Sequence, residues 1–340
     1  MDRDDDEPAA IALADAVRAG DQEAFRALFD RHRRELQVHA YRMLGSFSDT
    51  EDLLQETFLR AWNRRASFEG RASVRAWLYR IATNACLDVL RQRKRRRALP
   101  FDVVPPIGPE SPMPADPGDV DWLEPFPDHL LSHDDPAAAA VTRESLELVF
   151  LAAIHHLSPV QRAVIILRDL LGWSARETAQ ALETTEAAVK SALQRGRPIL
   201  EEHLPARRPD ASPPRTRASD EERAVLDRYI AAMQADDVDA LAAVLRDDVR
   251  VAYPQVGIWC DGAQAFIKGS REHAPPGDFR FVATTANLQP AVAIYHRAPG
   301  APAFALTALE LVRVVDGRIA EIVDFDPAVL SSAFGLPPTL

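Results

Sequence analysis

The sequence predicts a multidomain protein in which two all-α domains precede a C-terminal α+β domain. Three observations lead to this prediction. The 340 residues are enough for two or three domains of about 150 residues each. Residues 10–97 and 138–204 space their apolar residues as helices do, and ten prolines mark a linker between them at 98–137. After a second linker at 205–218, residues 219–340 combine two helical stretches with β-rich runs.

The overall composition excludes several classes of protein. Apolar residues make up 47% and charged residues 27%, so the chain is not disordered as a whole. The first residues lack the basic and apolar segments of a secretory signal, and no apolar run approaches the about 18 residues of a membrane span. Cys86 and Cys260 have no metal-ligand spacing. We expect a cytoplasmic protein with no membrane segment, no metal site and no cofactor.

Charge is distributed unevenly along the chain. The formal net charge of −11 taken alone argues against a nucleic-acid partner. Residues 60–97, however, hold twelve basic residues against two acidic ones, whereas residues 98–142 hold nine acidic residues and no Lys or Arg. Neighbouring segments of opposite sign predict a nucleic-acid surface beside an acidic arm.

Four Ser-x-x-Glu or Ser-x-x-Gln patterns mark predicted helix starts. In such a capping box the serine and the acid or amide three residues later bind backbone amides that the first helical turn leaves unpaired. Each pattern precedes a run with helical spacing of apolar residues, which strengthens the prediction. The four pairs are Ser48 with Glu51, Ser158 with Gln161, Ser174 with Glu177, and Ser219 with Glu222.

The helix predicted to open at Ser48 has an apolar face and an acidic face. Its apolar side chains, from Leu53 to Ala61, share one side of the helix. An acidic face is usually a solvated surface, but a leucine among the carboxylates favours a surface that docks a protein. The acidic face consists of Asp49, Asp52, Gln55, Glu56 and Leu59.

The next predicted helix, at residues 73–93, places basic, aromatic and amide side chains together. Basic side chains hold phosphates, and aromatic and amide groups beside them stack on and hydrogen-bond to an unstacked base. Core packing would explain a lone aromatic, but the coincidence of all three kinds of group predicts contact with single-stranded DNA. The residues are Phe68 and Arg71 in the preceding loop, and Trp77, Arg80, Asn84 and Arg91 in the helix.

Residues 174–200 are predicted to form two helices joined by a short turn. This spacing is that of a helix-turn-helix, whose second helix enters a major groove. That helix, predicted at 186–200, has an inner face of small and apolar residues, which are Val189, Ala192, Leu193 and Gly196. Its outer face is polar and consists of Ala187, Lys190, Ser191 and Gln194, with Arg195 and Arg197 at its flanks.

These segments resemble an extracytoplasmic-function (ECF) sigma factor. YRMLGSFSDTEDLLQETFLRAW at residues 41–62 and VRAWLYRIATNACLD at 74–88 look like region 2 of that family. LSPVQRAVIILRD at 157–169 and TEAAVKSALQRGR at 185–197 look like region 4. The order of region 2, linker and region 4 is also that of the family.

The resemblance implies a protein that binds core RNA polymerase and promoter DNA. It assigns the acidic face to the clamp helices of the polymerase β′ subunit and the helix at 159–171 to the β flap. It assigns the predicted single-strand residues to melting and reading of the −10 element, and the acidic linker to channels of the polymerase. For the −35 element it implicates Arg176, Thr185, Lys190, Ser191, Gln194, Arg195 and Arg197.

Residues 219–340 resemble the SnoaL-like, NTF2-type cone that some sigma factors of this class carry. The linker segment DWLEPFPD at 121–128 and the ending FGLPPTL at 334–340 also look like that subgroup. The resemblance implies that the cone tunes sigma-factor activity in cis. The sequence leaves open whether it activates or inhibits, and whether a small molecule fills it.

Two other classes of function stay open at this point. The cone is also the fold of cyclases and isomerases, so a SnoaL-type enzyme tethered to DNA by the helix-turn-helix is one alternative. Proton abstraction would need a desolvated carboxylate or histidine, and the candidates are Tyr253, Asp261, His273, Tyr295 and Asp324. No spacing among them demands a site, so we expect no catalytic residue. A ligand-sensing repressor is the other alternative, and it leaves the acidic face and the basic helix unexplained.

Overall fold

The structure is a computed structural model, and it describes most of the chain. The residues described are 19–68, 73–93, 97–108, 120–131, 145–204, 218–273, 277–326 and 332–340. They form two compact units. The first takes in the described residues within Met1–Arg96, Leu131–Val141 and Val149–Pro209, and the second those within Arg97–Leu130, Thr142–Leu148 and Asp210–Leu340.

The first unit is entirely helical. Its helices, in chain order, are α1 (Gln22–Leu44), α2 (Phe47–Asn63), α3 (Val74–Gln92), α4 (Leu148–Ile154), α5 (Pro159–Ile165), α6 (Ala175–Ala181) and α7 (Glu186–His203). A π-helical turn, Ile166–Leu170, continues α5. The capping boxes at Ser158 and Ser174 are confirmed, because each serine side chain accepts a bond from the amide three residues later and the return bond is also made.

The predicted capping box at Ser48 is wrong. Helix α2 begins at Phe47, and its N-cap is Ser46, whose hydroxyl accepts a hydrogen bond from the Asp49 amide at 3.1 Å. Two serines lie two residues apart here, and both precede the apolar run. Ser46 has the extended backbone that an N-cap requires, with ψ at 130°, whereas Ser48 already lies inside the helix.

Helices from both predicted all-α segments pack into shared cores within the first unit. One core joins Met43, Leu44 and Leu53 of α1 and α2 to Ile165 and Leu193 of α5 and α7. Burial of this apolar surface is the main stabilising contribution to the unit.

A buried arginine adds hydrogen bonds between these segments. The Arg162 guanidinium donates to the Met43 and His155 carbonyls. A buried guanidinium is costly without such acceptors, so these bonds hold the end of α1 against α5.

The second unit is a six-stranded sheet covered by helices. The strands are β1 (Leu245–Tyr253), β2 (Ile258–Asp261), β3 (Phe279–Ala286), β4 (Gln289–His296), β5 (Ala305–Val315) and β6 (Arg318–Phe325). The helices are α8 (Asp220–Ala235), α9 (Val238–Val244) and α10 (Ala263–His273). The sheet order is β2-β1-β6-β5-β4-β3, with β1 and β6 parallel and every other pair antiparallel. The capping box at Ser219, at the start of α8, is confirmed.

Parts of the predicted linker belong to the second unit. The Ile107 amide donates to the Trp259 carbonyl at 2.8 Å, and the Trp259 indole donates to the Val104 carbonyl at 2.8 Å. The ring of Phe101 meets Trp259 edge to face, with 6.2 Å between the ring centroids. These contacts fix the first stretch of the linker along β2.

A second stretch of the linker is bound at the turn between β3 and β4. Asn287, fully buried in that turn, accepts from the Phe126 amide at 2.7 Å and donates to the Leu146 carbonyl at 2.7 Å. Its own amide donates to the Phe126 carbonyl at 2.9 Å. We call this set of three bonds the Asn287 clasp. Next to it, the Leu288 amide donates to the Asp128 carboxylate at 2.7 Å.

Candidate nucleic-acid interface

The predicted docking face on α2 is present and mostly open to solvent. Leu59, in the second half of α2, is 54% exposed. The carboxylate of Glu56 lies 2.6 Å from Arg60 Nε, one turn further along. The exposed members of the face are Asp52, Gln55, Glu56 and Leu59. They combine two carboxylates and an amide with one exposed apolar side chain.

Asp49, the fifth predicted member of that face, has a different environment. It is half-buried at the start of α2, and Arg93, just after the end of α3, forms an ion pair with its carboxylate. Its backbone amide is bound by the Ser46 cap. Asp49 therefore fixes the end of α3 against the start of α2 in this structure.

The two aromatic residues predicted to contact a base are buried. Phe68 is 9% exposed and Trp77 is 5% exposed, and their ring centroids lie 5.5 Å apart. The indole nitrogen of Trp77 is buried and has no hydrogen-bond partner within the described part of the chain. Contact of either ring with a DNA base therefore requires a rearrangement of this corner of the unit.

The polar residues of α3 are more accessible. Arg80 and Asn84 are both half-exposed and lie one turn apart, so they occupy the same face of the helix. Arg91 is exposed, and its guanidinium lies 2.7 Å from Asp88, which also binds Arg60. Arg71 falls outside the described residues.

Helices α6 and α7 form the predicted helix-turn-helix. Glu183, in the turn, has a left-handed backbone with φ at 51°. The hydroxyl of Thr185 caps α7 by accepting from the Ala188 amide at 3.1 Å. The predicted inner face of α7 is confirmed, since Val189, Ala192, Leu193 and Gly196 are all buried.

The outer face of α7 presents polar side chains to solvent. Lys190, Gln194 and Arg195 are exposed and Ser191 is half-exposed. Arg197 is exposed but is held by a two-point ion pair with Asp169, at 2.7 and 3.0 Å. Arg176 on α6 is also exposed, and Thr185 lies at the N-terminus of α7, where helix amides favour an anion such as phosphate.

The second unit contains a cavity of about 470 Å³ that no sequence pattern reveals. Asp324 and Tyr253, two of the residues considered for proton abstraction, line it together with Glu310. Asp261 and Tyr295 are absent from its lining, and the side chain of His273 is outside what the structure describes. Sequence reasoning missed Glu310 because one acid in an apolar strand shows no pattern before its neighbours are known.

Both carboxyl groups in the cavity are harder to ionise than usual. Burial, with the nearby carboxyl of Asp324, raises the pKa of Glu310 to about 8. Burial also raises the pKa of Asp324 to about 7. The hydroxyl of Tyr229 donates to Glu310 at 2.9 Å, and the amide of Gln255 donates to Asp324 at 3.3 Å. Near neutral pH the pair therefore holds at least one proton for part of the time.

Two further observations concern metal ions and membranes. No group of three or more His, Cys, Asp or Glu side chains in the described ranges could hold a metal ion. No helix in those ranges has both the length and the apolar character that a membrane crossing demands.

Comparison with known proteins identifies the segments. Residues 28–96 match the Sigma-70 region 2 family, residues 147–198 the Sigma-70 region 4 family, and residues 226–322 the SnoaL-like domain family. The ECF RNA polymerase sigma factor SigG of Mycobacterium tuberculosis is 42% identical over 320 residues, which cover 93% of this chain and 85% of that protein. This chain belongs to the ECF RNA polymerase sigma factor family.

Other relatives show how far the similarity reaches. SigX of Bacillus subtilis is 33% identical over 186 residues, which cover 54% of this sigma factor and 84% of SigX. The crystal structure of the ECF sigma factor SigJ of Mycobacterium tuberculosis covers 93% of this chain and 99% of its own, with a TM-score of 0.59 and 21% identity. The SigJ match confirms the predicted fold of two helical segments followed by a sheet-containing domain.

Family membership decides between the alternatives that the sequence left open. Sigma factors bind core RNA polymerase and promoter DNA, and this one is a transcription initiation factor. The chain is therefore not a cyclase or an isomerase. A repressor that uses only the helix-turn-helix would not account for the match to region 2.

Proposed function

We propose that this ECF sigma factor directs core RNA polymerase to promoters through three surfaces and that its C-terminal domain tunes this activity in cis. The observation that carries the proposal is that one helical unit presents both an acidic face with an exposed leucine on α2 and an exposed polar face on α7. Because core polymerase transcribes in the cytoplasm, the proposal places the chain there.

The first surface is the exposed part of the α2 face, which we assign to the clamp helices of the β′ subunit. An exposed large apolar side chain surrounded by polar groups is the usual layout of an interface anchor with its rim. Leu59 is the anchor, and Asp52, Gln55 and Glu56 form the rim. We assign α5 with its π-helical continuation to the β flap.

The second surface is the polar face of α3 with the loop before it, assigned to the −10 element. Arg80 and Arg91 would hold phosphates, and Asn84 would hydrogen-bond to an unstacked base. Phe68, Arg71 and Trp77 complete the assignment. Because the rings of Phe68 and Trp77 are buried against each other, their assignment requires that this contact opens when DNA binds.

The third surface is the outer face of α7, assigned to the −35 element. Lys190 and Arg195 would bind phosphates, and Ser191 and Gln194 would read base edges in the major groove. Arg176, Thr185 and Arg197 lie at the margins of this surface. In the free chain Arg197 is engaged with Asp169, so its contact with DNA would replace that ion pair.

The proposed tuning in cis is supported by the position of the linker. The Asn287 clasp and the bonds around Trp259 attach two stretches of the linker to the C-terminal domain. The resemblance assigns this acidic linker to channels of the polymerase. A linker that is held by the C-terminal domain is not free to enter those channels, so the domain would control when it does.

Run-off transcription with purified core polymerase tests the proposal. The comparison uses the intact chain, Asn84→Ala, and Asn63→Ala as a matched control, because Asn63 is an exposed asparagine at the end of α2. We expect Asn84→Ala to bind core polymerase normally and to open the promoter poorly, and Asn63→Ala to behave as the intact chain. Failure of the intact chain to bind core polymerase would refute the function. Equal loss of binding and opening in Asn84→Ala would refute the −10 assignment alone.

A further inference from the structure

The cavity of the C-terminal domain is closed in part by the linker. Ile107 and Gly108 of the linker belong to its wall, and Ile107 pairs with Cys260 of β2 in the manner of a parallel strand. The Ile107 amide is bound to the Trp259 carbonyl at 2.8 Å. A molecule that fills the cavity would therefore contact the linker as well as the sheet.

Two acids lie side by side inside this cavity. Glu310 on β5 is directly opposite Asp324 on β6 in the strand register, and opposite residues of an antiparallel pair have Cβ atoms about 5 Å apart. Glu310 is 4% exposed and Asp324 is 8% exposed. Their pairing thus puts two carboxyl groups within reach of a single ligand atom.

The remaining lining gives the cavity an apolar wall. The charged side chains that line it elsewhere, Lys268 and Glu272, are both exposed and opposite in sign. The buried charged groups of its lining are therefore the two acids. The apolar wall includes Ile107, Met233, Phe266, Phe279, Phe281 and Ile294.

We propose that this cavity binds an apolar molecule carrying one protonated amine, with the amine between Glu310 and Asp324. An ammonium group inside the cavity would favour the ionised forms of the two buried carboxyl groups and donate hydrogen bonds to both. A ligand with a carboxylate would bring a negative charge into a cavity that already disfavours ionised carboxyl groups, so the proposal excludes it. The cavity volume of about 470 Å³ lies in the range of pockets that enclose small organic ligands.

Ligand binding would be coupled to the linker, because Ile107 forms part of the wall. A bound molecule that packs on Ile107 stabilises the docked arrangement over one in which the linker has left. The amine-bearing ligand would thus keep residues 104–108 on the C-terminal domain. This inference goes beyond the role of a sigma factor and does not depend on it.

The test uses three probes that share one skeleton, which are 4-phenylbutylamine, 4-phenylbutan-1-ol and 4-phenylbutanoate. Titration calorimetry on the 340-residue chain without substitutions and without polymerase compares their affinities. We expect the amine to bind at least about tenfold more tightly than the alcohol, the gain typical of a charge-assisted hydrogen bond, and the carboxylate to bind most weakly.

Matched variants locate the amine. Glu310→Gln and Asp324→Asn should each weaken amine binding about tenfold and leave alcohol binding nearly unchanged, and Asp227→Asn, an exposed acid on α8, should change neither. Hydrogen exchange on the wild-type chain gives a readout that needs no variant. The amine should slow exchange of the Ile107 amide.

Three outcomes would overturn the proposal. The first is equal affinity of the wild-type chain for all three probes, or no amine binding at millimolar concentration. The second is amine binding that neither acid variant weakens. The third is bound amine with unchanged exchange at Ile107, which would place it elsewhere. None of these results bears on binding to core polymerase, so they separate this inference from the proposed function.

Discussion

At the scale of single residues, Asn287 links parts of the chain that are far apart in sequence. Its side chain binds Phe126 and Leu146, which are 161 and 141 positions away. Its backbone is left-handed, with φ at 55°, as is that of Leu288 with φ at 58°. Asparagine tolerates this conformation better than other side-chain-bearing residues, and its amide can donate and accept at once. Asn287 uses both properties, because its backbone is left-handed and its side chain accepts from Phe126 while donating to Leu146.

Replacement of Asn287 by alanine should release the linker. Asn287→Ala leaves the Phe126 amide and the Leu146 carbonyl without these partners, at a cost of about 1–3 kcal/mol for each buried group that stays unsatisfied. We expect faster hydrogen exchange and faster proteolysis of residues 121–130. Asn63→Ala is the control. Unchanged exchange in Asn287→Ala would mean that other contacts hold the linker.

The two acids of the cavity predict how stability depends on pH. Their pKa values in the folded chain, about 8 for Glu310 and about 7 for Asp324, lie above their ordinary values of 4.5 and 3.8. The folded state therefore binds more protons than the unfolded state between about pH 4 and pH 8, so the free energy of unfolding falls as pH rises through that window.

Glu310→Gln should reduce the loss of the free energy of unfolding as the pH rises. The variant removes one group that must ionise inside the cavity, so it should be more stable than the wild type at pH 8 by about 1 kcal/mol or more, and no more stable at pH 5. Urea unfolding at both pH values, monitored by hydrogen exchange of β5 and β6, measures the difference in the free energy of unfolding between the two proteins. Equal pH slopes for the two proteins would contradict the prediction, and Asp227→Asn should keep the wild-type slope.

At the scale of elements, helix α7 separates its structural face from its proposed reading face. Val189, Ala192 and Leu193 are buried, and the polar residues between them point outward. Gly196 lies where a Cβ atom would come within 3.0 Å of Ile165, so the absence of a side chain allows α7 to approach α5 closely. Helical spacing alone predicts this division of faces.

Substitutions on the outer face of α7 should have two distinct effects. In the holoenzyme, Lys190→Ala should weaken binding to all −35 sequences alike. It should also reduce the slope of log affinity against log salt concentration by about 1, the loss expected for one phosphate contact. Gln194→Ala should change the preference at one base position by about 1–3 kcal/mol. Glu202→Gln, exposed near the end of the helix, is the control. If the three variants had the same affinity for promoter DNA and the same preference among −35 sequences, the assignment of α7 would be contradicted.

Elements were predictable from the sequence where a local pattern determines them. The boxes at Ser158, Ser174 and Ser219 act through bonds that span three residues, and their helices begin where predicted. Ser46 and Ser48 could not be told apart, because both satisfy the local pattern.

Long-range pairings were not predictable. The register that puts Glu310 opposite Asp324 and the contact of Phe126 with Asn287 depend on how distant strands and loops meet. Of the candidate sites, the outer face of α7 was therefore accessible to sequence reasoning, whereas for the cavity the sequence offered Tyr253 and Asp324 but not their pairing with Glu310.

At the scale of the whole chain, we expect the C-terminal domain and the linker to affect transcription together. A chain that lacks residues 219–340 has lost the sheet to which Val104, Ile107 and Phe126 bind. We expect this truncation to change the yield of run-off transcripts, and we expect Asn287→Ala in the intact chain to change it in the same direction. The shared direction is the prediction, because both changes free the linker. Opposite directions, or identical yields from truncated and intact chains, would contradict tuning through the linker.

The hydrogen bond from Arg162 to Met43 has a geometric consequence for promoter binding. It lies in a helical unit of 168 residues, and a compact body of that size has a radius of gyration of about 15 Å. The centres of the −10 and −35 elements are about 25 base pairs apart, which is about 85 Å along B-form DNA. Helices α3 and α7 cannot span that distance while α1 and α5 stay joined. Under the proposed assignments of α3 and α7, engagement of both elements at once would require α1 and α5 to separate at Arg162, and we expect core polymerase to hold the two parts apart.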